Sequence, residues 1–195
     1  MRSILGCKRP HAFGHGTNVI RDRREFIAKT AAAALVPGVC SGANVLDTEK
    51  KKLELFALHT QEYLRTYYRV DGELLQPHCA AIDHLLRDHR TNEVHVIDPH
   101  LFDYLHDLGQ LLGLQGPFEV ISGYRSAATN AQLRRSSSGV AKRSFHMFGR
   151  AVDIRVPDIA VSEVRDAAIS LERGGVGYYP RSEFIHLDTG RFRHW

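Results

Sequence analysis

Ser144-Phe145-His146-Met147-Phe148-Gly149-Arg150-Ala151-Val152-Asp153 is the stretch on which the reading of this chain turns. It holds a histidine and an aspartate seven residues apart, with a glycine between them. Donor atoms that share one zinc ion each lie ~2.0–2.2 Å from it, so His146 and Asp153 would have to converge. A continuous helix would separate them by ~10 Å and a continuous strand by more than ~20 Å. Convergence therefore requires a bend, and Gly149 is the residue able to make it. Ala151-Val152-Asp153-Ile154-Arg155-Val156, closed by Pro157, reads as a strand that carries the carboxylate on one face. Phe184-Ile185-His186-Leu187-Asp188 reads as another short strand, and a neighbouring strand can bring His186 to the same place. A His, Asp and His set leaves a coordination position for water, which separates a catalytic zinc from a closed structural one.

Outward from this centre the elements are mixed. Lys52–Leu58 alternates as a strand, and Tyr63–Val70, rich in aromatic and β-branched residues, follows it and leads into Asp71-Gly72, so a hairpin is expected. Helical spacing of Ala81, Ile82, Leu85 and Leu86 predicts a helix from Pro77 to about Arg90. Asp98-Pro99 opens a second, with Leu101, Leu105, Leu108, Leu111 and Leu112 on its face. The histidines of these helices (His84, His89, His100 and His106) read as solvated. Phe118–Ser122 is a strand, Ala127–Arg135 a helix, and Ser136–Gly139 a surface loop. Val161–Leu171 is an amphipathic helix capped by Gly174-Gly175, and Val176–Tyr179 is a strand. Strands and helices without regular βαβ alternation indicate an α+β fold with a small, largely antiparallel sheet.

The 195 residues carry a formal charge of +4, which would suit a nucleic-acid partner if the charge lay on the folded domain. It does not. Residues 1–43 hold seven of the 26 Lys/Arg and two of the 22 Asp/Glu, leaving 19 basic against 20 acidic residues in 44–195. A nucleic-acid surface loses its support. Within residues 1–43, Arg23-Arg24-Glu25-Phe26-Ile27 precedes an apolar run through Val36, then Pro37-Gly38 and the small residues Ser41-Gly42-Ala43. The order of charge, apolar run and small residues resembles that of a twin-arginine export signal, which would imply export machinery as a partner and the periplasm as destination; the other reading is a disordered basic tail with a short alanine-rich helix. The domain would then occupy 44–195, with no apolar run long enough to span a membrane. Of Cys7, Cys40 and Cys79 only the last would remain, so no internal disulfide is expected.

His146-x-x-Gly149-x-Ala151-x-Asp153 with a later strand histidine resembles the zinc peptidases grouped with lysostaphin, D-Ala-D-Ala peptidases and hedgehog. More closely, Ser122-Gly123-Tyr124-Arg125-Ser126, Gly139-Val140-Ala141-Lys142, Gly174–Pro180 and His186-Leu187-Asp188-Thr189-Gly190 resemble the murein endopeptidase K family over residues 50–195. The resemblance implies a hedgehog/D-Ala-D-Ala peptidase-like fold, Zn2+ on His146, Asp153 and His186, and cleavage of peptide bonds in peptidoglycan stems or cross-links. Glu183, three residues before His186, matches the position of the general base in the D-Ala-D-Ala peptidases; the other reading is a surface residue after Pro180. Arg125 would bind substrate carboxylate or stabilise developing negative charge; the other reading is an arginine bridging loops through carbonyls. Asp188 shares a face with His186 and stands as an acceptor behind it or, with His194, as an alternative base. Tyr124, Ser144 and Tyr178 are expected along the substrate cleft, although Tyr178, Tyr179 and Trp195 fit a core equally well. Rival functions are a non-catalytic peptidoglycan-binding module and a D,D- or L,D-carboxypeptidase trimming stem peptides.

Overall fold

The computed structural model describes residues 48–137 and 139–195. The leader expected over residues 1–43, with its twin arginines, lies outside the described residues, as does Ser138.

β1 (Lys50–Ala57) and β2 (Glu62–Val70) form the expected antiparallel hairpin, with register Leu55↔Leu64. The two-residue β3 (Glu73–Leu74) folds back on β2 after Asp71 and Gly72, both left-handed. Helix α1 (Gln76–Leu85) has proline in its first turn. It stops short of the expected Arg90 because the chain beyond is held elsewhere. Leu86 O accepts from Tyr124 N, and the buried Asp88 carboxylate accepts from the amides of Arg90 and Ser126. Helix α2 (Pro99–Leu111) is capped by Asp98, whose side chain accepts from His100 N, as the Asp-Pro pair predicts.

β4 (Phe118–Ser122), α3 (Ala127–Ser136), β5 (Ala151–Arg155), α4 (Val161–Ser170), β6 (Gly175–Tyr179), β7 (Phe184–Asp188) and β8 (Arg193–His194) complete the order. The strands form one eight-stranded sheet ordered β3-β2-β1-β4-β5-β7-β6-β8. The fold is α+β as expected, but the sheet is large rather than small. The N-terminal hairpin joins the C-terminal strands through the parallel pair β1·β4, and β8 adds a parallel edge to β6. All other neighbours are antiparallel. Gly174-Gly175 do not cap α4: the helix closes at Leu171, Glu172 takes the left-handed turn, and Gly175 already opens β6.

The two faces of the sheet differ. Leu53, Leu55, Val152, Ile154, Val176, Ile185 and Leu187 are buried with Ile82, Leu101, Phe102, Leu105, Leu108 and Val164 from the helices. Each large aliphatic side chain so buried contributes about 1.5–3 kcal/mol, so this layer is the stabilising core. Period-2 alternation then turns Asp153 and His186 to the opposite face. Among the described residues no helix is long and apolar enough to cross a membrane.

Candidate metal centre and cleft

Sheet register assembles the site. Ser122 pairs with Asp153, Asp153 with His186, and His186 with Gly177, so these four residues form one row across β4, β5, β7 and β6. His146 reaches the row from the 3₁₀ turn Phe145–Phe148. Gly149 ends that turn at φ 63°, and a Cβ there would collide with the Val96 carbonyl. The expected bend is thus made where expected, at a position closed to any side chain.

Three donor atoms converge. His146 Nε2 lies 3.2 Å from Asp153 Oδ1 and 3.1 Å from His186 Nδ1, and His186 Nδ1 lies 2.9 Å from Asp153 Oδ1. His146 is 1% exposed and Asp153 4%. The outer nitrogens fix the rings. His146 Nδ1–H donates to Gly123 O (2.7 Å), and His186 Nε2–H donates to Asp188 Oδ2 (3.1 Å). A carbonyl only accepts, so the His146 proton sits on Nδ1 and its Nε2 presents a lone pair; His186 has a carboxylate at each nitrogen, and a cation at the triangle would leave its proton on Nε2 and a lone pair on Nδ1. Two imidazole nitrogens and a carboxylate oxygen thus meet at one point, where a cation would find a lone pair on each. Three such atoms repel one another unless a proton or a cation sits among them. Donors ~2.0–2.2 Å from a tetrahedral zinc would be ~3.3–3.6 Å apart, close to the spacing found. Among the described residues, His146, Asp153 and His186 are the one group of this kind.

The electrostatics agree. Burial pushes His146 down and outweighs the pull of Asp153, keeping the ring neutral. Burial opposes the charge on Asp153 as well, but His146, His186 and Arg125 overcome it and hold the carboxyl far below the usual range. Burial opposes charge on His186 too, but its hydrogen bonds to Asp153 and Asp188 outweigh it and raise the ring.

Around the triangle stands a supporting shell. Arg125 pairs through Nη2 with Asp153 Oδ2, and its Nε donates to Ser122 Oγ at 2.8 Å. Oδ2 is thereby engaged, and Oδ1 is left for the triangle. Asp188 is fully buried and receives Arg193 at 2.6 and 3.0 Å and the Gly190 amide at 2.8 Å, besides His186. Burial alone would raise its carboxyl; these donors hold it well below the carboxylate range.

The triangle opens into a cleft of about 420 Å³. Of the expected site residues, Arg125, Ser144, His146, Asp153 and His186 line it. Glu183 does not. It is an exposed residue at φ 52° after the turn Pro180–Ser182, and it borders a separate cavity with Arg155, Asp158 and Ile159. The left-handed step leaves Ser182 and Phe184 on the cleft and turns Glu183 away. His194 is exposed and packs near Phe192. It stands outside the cleft because its strand neighbours Arg193 and Trp195 take the facing positions. Tyr124 stacks on His95 at 4.7 Å, and Tyr178 packs against the core beneath Arg165, so neither lines the cleft. Tyr179 does, one residue on and hence on the other face. Arg143, Arg193, Phe184 and Trp195 also line it. Gly177 makes room for Trp195, since a Cβ there would lie 2.8 Å from the indole. Alternation along β6 and β8 could have found Tyr179, Arg193 and Trp195, but a two-residue strand leaves too little pattern to read.

The sequence profile of the family described as Peptidoglycan L,D-endopeptidase MepK matches residues 46–195. The chain is 43% identical over 180 residues to the Peptidoglycan L,D-endopeptidase MepK of Escherichia coli K12, covering 88% of this chain and 99% of that protein. It is 52% identical over 153 residues to the Probable peptidoglycan L,D-endopeptidase MepK of Haemophilus influenzae, covering 77% and 82%. The match spans every element that builds the row and the triangle. The chain belongs to this peptidoglycan L,D-endopeptidase family.

Proposed function

We propose that this chain is an exported, zinc-dependent endopeptidase that hydrolyses L,D peptide bonds in peptidoglycan, with zinc held by His146 Nε2, Asp153 Oδ1 and His186 Nδ1. The observation that carries the reading is the convergence of His146 Nε2, Asp153 Oδ1 and His186 Nδ1 within 3.2 Å of one another. Family membership supports the substrate class. The mixed nitrogen and oxygen donors without paired cysteines support a catalytic rather than a structural ion. When bound, zinc supplies Lewis acidity, bringing the pKa of a water it holds toward ~7.

The chain's own residues do the rest. Gly123 O and Asp188 accept from the outer nitrogens of the two rings and so aim the inner nitrogens at the metal position. Arg193 anchors Asp188, which makes the His186 orientation depend on the last residues of the chain. Arg125 keeps Asp153 Oδ2 engaged and lines the cleft, where its charge can stabilise the oxyanion that develops on the scissile carbonyl. Tyr179, Phe184 and Trp195 give the cleft an aromatic wall suited to the aliphatic parts of a stem peptide. Hydrolysis consumes one water, whose oxygen ends in the new carboxylate while a proton ends on the departing amine. Among the described residues the cleft offers no carboxylate beyond Asp153 and no imidazole beyond the two in the triangle. We therefore assign no side chain as general base, and Glu183 is left outside the chemical step.

Arg23-Arg24 and the apolar run after them support the periplasm as the place of action. The reading is tested by incubating purified sacculi with the metal-loaded protein, with chelator-treated protein and with the treated protein after zinc return. Soluble fragments newly ended at L,D bonds, lost with chelator and regained with zinc, are expected. Equal release by the chelated protein, or cleavage confined to D,D bonds, would overturn it.

A further inference from the structure

Three arginines line the cleft, and two have buried carboxylates for partners: Arg125 pairs with Asp153 and Arg193 with Asp188. The third, Arg143, is exposed, and among the described residues no ion pair or hydrogen bond holds its guanidinium. It stands three residues before His146, between Lys142 and Ser144, with Val140 and Ala141 beside it on the cleft. Residues 44–195 carry 19 basic and 20 acidic side chains, so the domain as a whole is not cationic. The cleft departs from that balance: Asp153 is its single side-chain carboxylate among the described residues, already engaged by Arg125. A site with a free guanidinium and no free carboxylate selects an anionic group on its ligand, because a planar fork pairs with a carboxylate through two parallel hydrogen bonds.

The chemistry of the bond says which anion is at hand; this step rests on the L,D-endopeptidase reading above. An L,D peptide bond joins the carbonyl of an L centre to the amine of a D centre. The D centre that donates its amine keeps its own carboxyl one carbon away. That carboxyl is a free carboxylate wherever the D centre ends a peptide or is the side-chain centre of a diamino diacid. We propose that Arg143 is a specificity-determining residue that binds this carboxylate, and so fixes the leaving-amine side of the substrate relative to the three-donor triangle. Arg143 takes no part in holding the metal, and its removal leaves the triangle and its supporting hydrogen bonds in place.

The test uses two synthetic L,D-linked peptides, identical except that the D-centre carboxyl is free in one and a carboxamide in the other. Metal-loaded wild-type protein should cleave the free acid about 10- to 100-fold more efficiently in kcat/KM, the usual effect of one charge-assisted pair. Arg143→Gln should bring the free acid down to the carboxamide's value, leave the carboxamide unchanged and keep wild-type zinc content. Arg143→Lys should restore part of the difference, as a point charge without the fork. Equal cleavage of both peptides by the wild type, or an undiminished preference in Arg143→Gln, would overturn the proposal while leaving the endopeptidase reading intact. Binding of the two D-centre amine products to the metal-loaded protein is followed in parallel by fluorescence of Trp195, the single tryptophan, which lines the cleft. If neither peptide is cut, an Arg143-dependent preference for the acid product supports the anion site even though the peptidase reading falls. Absence of that preference sinks the anion site as well.

Discussion

Among the described residues two pairs of histidine rings meet, and only one is arranged for a metal. His59 and His89, in the N-terminal half, stack at 4.0 Å and 17°. His146 and His186 lie 4.9 Å apart and tilted by 58°. The first pair is the closer, yet it has no carboxylate between its nitrogens and borders the surface. Burial, then the neighbouring His59, pushes His89 down to about 4. The second pair has Asp153 within 3.2 Å of both rings and an acceptor behind each outer nitrogen. A metal site is made less by imidazoles meeting than by the groups that fix their tautomers and add an anion.

The sharpest way to break this contrast is to remove the anion. Asp153→Asn keeps the shape but not the charge, and leaves Arg125 facing a neutral amide. Release of fragments from sacculi should fall on the order of 10³-fold, the effect of several kcal/mol of lost charge stabilisation. A fall below tenfold would mean the carboxylate is dispensable. Next in size is the outer shell. Arg193→Gln removes the pair behind Asp188 without touching a donor atom. Because such partners orient the ligand, zinc affinity or turnover should drop about 10- to 100-fold, read by competition with a chelator. An unchanged affinity would detach the C-terminal residues from the site.

Glu183→Gln should change turnover less than about twofold, against the 10²–10⁴-fold expected of a positioned base. A large loss with zinc retained would return Glu183 to the chemical step. The smallest effects belong to the stacked pair. His89→Gln should leave zinc content and turnover unchanged and alter only the pH dependence of stability. Its folded value, about 4, lies below the ordinary 6.5. As pH falls from about 6.5 toward 4 the unfolded chain takes up the proton first, and stability is lost across that window. Melting temperatures between pH 7 and 4.5 should therefore fall less steeply in the variant, and an identical slope would rule His89 out as a source.

Much of this was legible in the sequence, because the deciding features are local. A glycine between a histidine and a strand aspartate shows the bend, and period-2 patterns show which of Asp153 and Val152 meets the core. What was illegible depended on register or on single backbone steps. The row Ser122–Asp153–His186–Gly177 exists only once four strands are aligned. Tyr178 and Tyr179 differ by one position, and nothing local says which belongs to the cleft. Glu183 has the right spacing on paper, but its left-handed conformation reverses the direction that spacing suggests. The breadth of the sheet was hidden because β3 and β8 have two residues each and β1·β4 is a long-range pairing.

The central claim is that His146, Asp153 and His186 together hold one zinc ion, and metal content tests it most directly. Purified protein, equilibrated with zinc and freed of excess, should contain one zinc per chain by elemental analysis. His186→Ala should retain less than a tenth of that while its circular dichroism matches the metal-stripped wild type, whereas His89→Ala should retain all of it. Full zinc occupancy in His186→Ala, or equal loss in His89→Ala, would contradict the account.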